Sequence, residues 1–536
     1  MAKVLVAASQ PRPHREDLFR TPKWVLLAAT AIVAVVILFY LHAALALWPS
    51  PSDDLFYIDA AWNLQNGTYR PPWAGAPYHH YLRWPVVLPL AALIRLFGVS
   101  QKSIAVFSIL PHLGCALLLF LIFRRLALPR LASVIVLLAP FAVDPFMLAP
   151  RPLSEATCAS LLLSSLLCMI LPGRRLRGVQ YFIAGGCMAL AIDATLVALF
   201  FALTPIAFLT ALHFTKSDAP RIERGTRRGA SLTIPIPHRF VFPSAAYMLG
   251  LAITYGGILA AEGFLFGDPL LQFHIMEAWH LQSLPAGGFL RWLTDYTVPA
   301  SFIFGFSMAF FKEYKTFLII FSAALVLYIF ARRELSTRRS ATLRTLLISA
   351  VCSYLTIEVC GALAISKTYI RFVAVPTLLA ASFIAATASS LIVSRKQSRA
   401  IRGVSMLVIL ALAYTVCLNT RKLVLDSGTT MYIRPIEQIM ADLRHRNVPP
   451  ASAAIITDRD GVHGAIWYAL AYRVYSGYAL HNGQVTTAPD GPSESTPRGR
   501  VTYFVETDGK ATTPLPRGFL PLSPAGPPFV FVQQQE

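Results

Sequence analysis

From Trp24 to Trp48 the chain runs without a single Asp, Glu, Lys or Arg. A stretch of that length suits the core of a bilayer, about 30 Å of hydrocarbon that a helix of roughly 20 apolar residues crosses. Comparable runs recur at 103–123, 131–149, 153–171, 179–213, 240–261, 316–331, 344–364, 371–393 and 402–419. Only helices and closed barrels satisfy their backbone hydrogen bonds in lipid, so this repetition predicts a polytopic helical bundle. Composition agrees, with 55% hydrophobic and 14% charged residues against the roughly 25% charged of soluble domains.

The net charge of +20 would point to nucleic acid in a soluble protein. Here the basic residues gather in short loops between apolar runs. That pattern reads as topology and contact with anionic membrane lipid, with no nucleic-acid partner. The seven cysteines all fall in apolar segments without CxxC spacing, so they read as small core residues. The first apolar run exceeds the roughly 7 to 15 residues of a signal peptide and reads as an uncleaved span.

Positive loops stay inside. Arg12, Arg15, Arg20 and Lys23 keep residues 1–23 in the cytoplasm, so the first span delivers Asp53 and Asp54 to the outer face. Arg124, Arg125, Arg174, Arg175 and Arg177 return the chain inside. Residues 179–213 make two short spans with an outer turn near Asp193. The run 299–311 is laid along the membrane surface, because crossing there would put ARRELSTRR outside. About 11 spans result. They occupy a transmembrane domain over 24–424, with outer loops at 49–102 and 262–314. Residues 425–536 are richer in Pro, Gly, Thr and Asp and are predicted to form a small outer α/β domain, with strands at 453–457 and 501–506 and a helix at 463–474.

The first outer loop carries the strongest chemistry. Carboxylates at a membrane edge are costly and mark functional positions. Asp53 and Asp54 suit a general base and its partner. They also suit the N-cap of a helix starting near Leu55, and the two roles are compatible. Arg83, Arg151, Arg291, Lys367 and Arg371 face outward against the charge bias, as phosphate ligands or as snorkelling side chains. His79, His80, His274, His280 and Glu277 lie on outer loops. His274 and Glu277, spaced i, i+3, are the candidate ligands of a divalent metal, although no zinc spacing is met. Asp458 and Asp460 form a D-x-D after a predicted strand, where a turn is the ordinary explanation. Walker A, Rossmann, GxSxG and HExxH patterns are missing, which argues against ATP-driven transport and serine hydrolysis.

The order of these features resembles the GT-C glycosyltransferases, specifically the branch of protein mannosyltransferases and bacterial aminoarabinose transferases. Asp53-Asp54-Leu55-Phe56-Tyr57 is similar to the family's acidic pair followed by Tyr, with Asp in place of the commoner Glu. Tyr81-Leu82-Arg83-Trp84-Pro85 through Phe97-Gly98 is similar to its aromatic-basic-Pro element, with Trp84 between the basic residue and Pro. Gly267-Asp268-Pro269-Leu270 resembles an outer-loop G-D/N-P element, and Tyr369-Ile370-Arg371-Phe372 through Pro376 resembles the entry to a late helix.

This resemblance implies an inverting transfer of a sugar from a polyprenyl-phosphate donor to the hydroxyl of a glycan, lipid or protein acceptor on the outer face. Asp53 would be the base and Asp54 its partner. Arg371, Arg83 and Arg151 would bind the donor phosphate. Tyr57, His79, His80 and Asp268 would line the acceptor side. A bacterial inner membrane with the tail in the periplasm fits. In an endoplasmic reticulum enzyme the same face would be lumenal and Asn66-Gly67-Thr68 a glycosylation site. Two other readings stand beside it: a lipid or glycan flippase, which should show charged or broken helices near the midplane, and a noncatalytic subunit of the same fold.

Overall fold

The structure is a computed structural model of the 536-residue chain. It describes residues 21–45, 53–69, 81–99, 101–126, 128–142, 154–171, 177–217, 238–275, 312, 314–332, 335–362, 374–394, 397–425 and 433–457. In the C-terminal region it describes residues 468–469, 471–473, 475–476, 485–487, 501–506, 519–522 and 529–533.

The helices are α1 (Lys23–Leu45), α2 (Asp53–Gln65), α3 (Trp84–Phe97), α4 (Gln101–Arg125), α5 (Arg130–Ile135), α6 (Ala139–Ala142), α7 (Ser154–Ile170), α8 (Arg177–Ala194) and α9 (Thr204–Ser217). They continue with α10 (His238–Phe266), α11 (Lys315–Ala331), α12 (Thr337–Ala362), α13 (Ala374–Val393), α14 (Arg399–Leu425) and α15 (Ile433–His445). Among the described residues, six are long and apolar enough to cross a membrane: Lys23–Leu45, Lys102–Arg125, Val241–Phe266, Arg339–Glu358, Ala374–Val393 and Arg399–Arg421. The chain is a multi-pass integral membrane protein. Leu27, Val35, Phe242, Ile253, Leu407 and Leu410 stand exposed on α1, α10 and α14, an apolar surface suited to lipid. The predicted third span, 131–149, is broken over its described part. A 3-10 turn at Val136–Leu138 separates α5 from α6, which contains Pro140 and so lacks one ladder donor.

Helix α13 is the axis of the bundle, buried from Ala374 to Leu391. Its Ala, Ser and Thr side chains let neighbouring backbones approach, which is how helices associate where lipid is as apolar as Leu. Helices α8 and α10 take this furthest. A Cβ on Gly185 would lie 1.9 Å from the Tyr247 carbonyl oxygen, and one on Gly250 would lie 2.0 Å from that of Phe182. Gly178 meets Phe242 and Gly186 meets Thr254. Contact positions rise together along both helices, so they run parallel and their C-terminal ends arrive side by side. Helix α10 reaches Phe266, so Glu262 lies in a helix rather than opening the loop expected from 262. Asp193 closes α8 next to the break at Thr195, where the charge rule puts an outer turn.

The C-terminal region contains a five-stranded mixed sheet: β1 (Ala453–Thr457), β2 (Val485–Thr487), β3 (Val501–Glu506), β4 (Phe519–Pro521) and β5 (Phe529–Gln533), in the order β2-β1-β3-β5-β4. β1 pairs in parallel with β2 and β3, while β5 is antiparallel to β3 and β4. Strands β1 and β3 coincide with the predicted AAIIT and VTYFVE. Alternate side chains face opposite ways. Ile455, Tyr503, Val505, Val530 and Val532 join the main core with Ile436, Ile439 and Leu443 of α15, while Ile456, Phe504, Phe519 and Phe531 form a second small cluster.

Candidate active site

Helix α2 begins at Asp53, two residues before the expected start. The acidic pair therefore occupies its first turn, where the macrodipole favours negative charge. From Leu55 to Ala61 the helix is buried on every side, and Tyr57 and Asp59, two residues apart, point in nearly opposite directions.

The Tyr-Leu-Arg-Trp-Pro element forms the start of α3. Pro85 stands in the first turn, with its φ set for a helix, and Arg83 is the N-cap residue. Arg83 is 8% exposed, not a cation in an open loop. One guanidinium nitrogen donates to the Tyr57 hydroxyl and to the Ser154 hydroxyl, both at 2.7 Å. The guanidinium also lies 5.9 Å from the Tyr57 ring centre. Ser154 in turn donates to Glu155 at 3.5 Å. The Nε of Arg83 has no hydrogen-bond partner among the described residues.

Beside Arg83 stand the ends of α8 and α10. Asp193 and Glu262 are both 0% exposed, and none of their carboxylate oxygens has a hydrogen-bond partner among the described residues. The two acids lie within electrostatic reach of each other, and Asp193 also within reach of Arg83. Trp84 turns its indole N–H toward Glu262 and its backbone N–H toward Asp193 without closing a full hydrogen bond to either. An aromatic wall covers them. Trp84 stacks on Phe266 at 6.3 Å and 4°, and Tyr69 lies 5.6 Å from Trp84. Both acids sit near the C-terminal end of a helix, where the dipole favours cations, so helix stability does not account for them.

Farther along α2, Asp59 is hydrogen-bonded through one oxygen and ion-paired through the other, whose hydrogen bond is unfilled among the described residues. Its Oδ2 accepts from the Tyr81 hydroxyl and from Asn63 Nδ2 at 3.0 Å. Its Oδ1 faces Arg473 Nε at 3.6 Å. Arg473 also donates to the Asn63 side-chain oxygen and lies 5.6 Å from the Trp62 ring centre. Burial raises the Asp59 carboxyl above the usual range, and Arg473, Tyr81 and Asn63 pull it back.

Asp268 follows α10 at Gly267, whose φ of +77° suits glycine. One of its oxygens accepts from the Leu270 N–H at 2.9 Å and the other meets His274 Nδ1 at 2.8 Å. Both bonds hold its carboxyl below the usual range, the one to His274 more strongly.

The structure thus brings Tyr57 and Arg83 together, with the start of α2 on the same element, and pairs Asp268 with His274. His79, His80, Arg151, Glu277 and Arg371 lie outside the described residues, as do Asp458 and Asp460. Among the described residues no group of three His, Cys, Asp or Glu side chains could hold a metal. Sequence reading missed Asp59, Glu262 and Arg473. The i, i+4 spacing of Asp59 and Asn63 was one available signal; nothing local signals Arg473.

These features define a membrane bundle with a buried polar site where α2 meets the start of α3 and the C-terminal ends of α8 and α10. The chain is similar over 95% of its length to the crystal structure of ArnT from Cupriavidus metallidurans bound to undecaprenyl phosphate, with 98% of that chain covered, a TM-score of 0.55 and 13% identity. The apo state of the same protein gives a TM-score of 0.55 at 12% identity, with coverage of 95% and 98%. An oligosaccharyltransferase from Archaeoglobus fulgidus in the apo form gives 0.45 at 14% identity, covering 87% of this chain and 64% of that one. By sequence alone, no protein-family profile and no curated protein matches. The fold is of GT-C type.

Proposed function

We propose that this protein is a GT-C membrane glycosyltransferase that moves a sugar from a polyprenyl-phosphate donor to an acceptor hydroxyl at the outer face, with inversion. The observation that carries the reading is the group of buried, unpartnered polar atoms around Arg83, Asp193 and Glu262, at the same end of the bundle as the acidic start of α2. Buried polar groups without hydrogen bonds destabilise a fold, so their presence calls for a substrate that completes those bonds. A fold shared with a protein whose structure holds undecaprenyl phosphate supports a lipid-phosphate donor.

In this mechanism Asp53 takes the proton of the acceptor hydroxyl and Asp54 orients it. The hydroxyl oxygen attacks the anomeric carbon as the bond to the lipid phosphate breaks. Arg371 and Arg151, with Arg83 at the boundary, stabilise the leaving phosphate. Asp193 and Glu262 accept hydrogen bonds from sugar hydroxyls. Tyr57 holds Arg83, and His79, His80 and Asp268 line the acceptor side. Asp268 holds His274 by Nδ1, which leaves Nε2 as the nitrogen that would ligate a divalent metal alongside Glu277. The setting that fits is a bacterial inner membrane with the sheet in the periplasm.

The test is sugar release from radiolabelled polyprenyl-phosphate sugars by purified protein in lipid, with Asp53→Asn alongside. Loss of a general base should slow turnover by about 10²- to 10⁴-fold without affecting expression. Full turnover by Asp53→Asn would remove Asp53 from this role.

A further inference from the structure

The contact between Arg473 and helix α2 joins parts of the chain 410 residues apart. It is built from both sides. Arg473 stands on a helical stretch whose other side chains are anchored: Tyr468, Ala471 and Tyr472 are buried in the main core, and the Tyr472 hydroxyl donates to the Pro450 carbonyl at 2.6 Å. The backbone that carries Arg473 is thus anchored on the C-terminal side. On the other side it meets Asp59, Asn63 and the Trp62 ring, all on α2. Thr68 adds a hydrogen bond to Asn63 at 3.0 Å, and the Tyr81 hydroxyl reaches Asp59 from the turn before α3.

Stability is a poor explanation for this choice of residues. A buried carboxylate loses hydration that an ion pair only partly returns, and well-packed apolar residues often do as well or better. What the polar arrangement supplies is direction. Asp59 accepts from Asn63 on α2 and from Tyr81 in the turn before α3, and its other oxygen faces Arg473 of the C-terminal helical stretch at 3.6 Å, so three elements fix its direction. Asp53 and Asp54 lie on the same helix, and so does Tyr57, which holds Arg83 at 2.7 Å. Turning α2 would move all of them.

We propose that Arg473 is a positioning residue: through Asp59 and Asn63 the C-terminal region clasps α2 and sets the geometry of its acidic first turn and of Arg83. The activity side of this inference rests on the transferase reading, whereas its structural side rests on the contacts alone.

The experiment uses full-length protein in lipid nanodiscs, with Arg473→Met and Arg473→Lys. Hydrogen exchange is followed by mass spectrometry and sugar release by donor turnover. In Arg473→Met, amides of α2 should exchange at least tenfold faster while those of β1 and β3 keep their protection. Turnover should fall by about 10- to 100-fold, the scale of a misplaced catalytic group, with KM for the donor within twofold. Arg473→Lys keeps the charge but loses the fork that spans Asp59 and Asn63, so both readouts should fall between the wild type and Arg473→Met. Wild-type exchange in α2 of Arg473→Met would overturn the proposal. So would faster exchange across the sheet and α2 alike, which marks a merely structural residue. If the wild type turns over no donor, the transferase reading fails and the exchange data alone decide the clasp.

Discussion

Two buried acidic sites lie near one end of this bundle, and they differ in how far they are partnered: Asp59 lacks a hydrogen bond on one oxygen only, and that oxygen faces a guanidinium. Around Asp59 the carboxylate accepts from Tyr81 and Asn63 and faces Arg473. Around Asp193 and Glu262 four carboxylate oxygens go without a hydrogen bond among the described residues. Buried polar groups are normally satisfied, and exceptions concentrate where a protein does chemistry. The first group is therefore read as a clasp and the second as a receptor that awaits a ligand. Loss of either should lower activity, but only loss of the first should lower stability.

The sharpest break in that comparison is Asp59→Ala. It leaves Arg473 without its counter-ion and should lower stability by about 2 to 3 kcal/mol. The effect stays below that of a fully buried pair because the Arg473 side chain keeps 29% exposure. Thermal unfolding in detergent measures it, and an unchanged midpoint would mean that Asp59 holds nothing in place.

Next is Gly250→Ala, whose new Cβ would overlap the Phe182 carbonyl. It should force α8 from α10 at about 1 to 3 kcal/mol and part Asp193 from Glu262, so turnover should fall together with stability.

Asp193→Asn and Glu262→Gln separate the two effects. Each replaces a buried carboxyl that has no hydrogen-bond partner among the described residues by an amide of the same size, so the midpoint should hold or rise while donor turnover falls by about 10- to 100-fold, the loss of one or two hydrogen bonds to the sugar. A fall in stability with turnover intact would make these acids structural.

The smallest effect is expected at Asp268, which is exposed and local. A carboxyl held below its usual range supports the structure above its unfolded value of 3.8 and loses that support as pH falls through the lower folded value. Protection of the Leu270 amide should persist at mildly acidic pH and vanish only below the ordinary carboxylate range, and Asp268→Asn should remove that dependence.

The bundle was legible because apolar length and loop charge answer to the bilayer alone. Strands β1 and β3 were legible because β-branched and aromatic runs bounded by turn residues suit a buried sheet. Glu262 was misplaced because the apolar run stops at Ala261, whereas α10 continues to Phe266, which stacks on Trp84 of α3. Span 131–149 was read as straight because Pro140 is apolar and does not interrupt a hydropathy pattern. Asp53, Tyr57 and Arg83 were singled out by motif order, but the joining of Tyr57 to Arg83 depends on how α2 folds against the start of α3. Arg473 could not be found at all, since its partners lie in another part of the chain and its own neighbours are ordinary helix residues.

The central claim is that a lipid-phosphate sugar sits where α2 meets the start of α3 and the C-terminal ends of α8 and α10. The most direct test is a cryo-electron microscopy map of the protein in lipid with a bound polyprenyl-phosphate sugar. The account predicts sugar density against Asp193 and Glu262, with Arg83 beside it and the start of α2 facing it. Head-group density confined to the apolar cavity of about 280 Å³ that Phe317, Phe321, Tyr354 and Pro376 line between α11, α12 and α13 would contradict it.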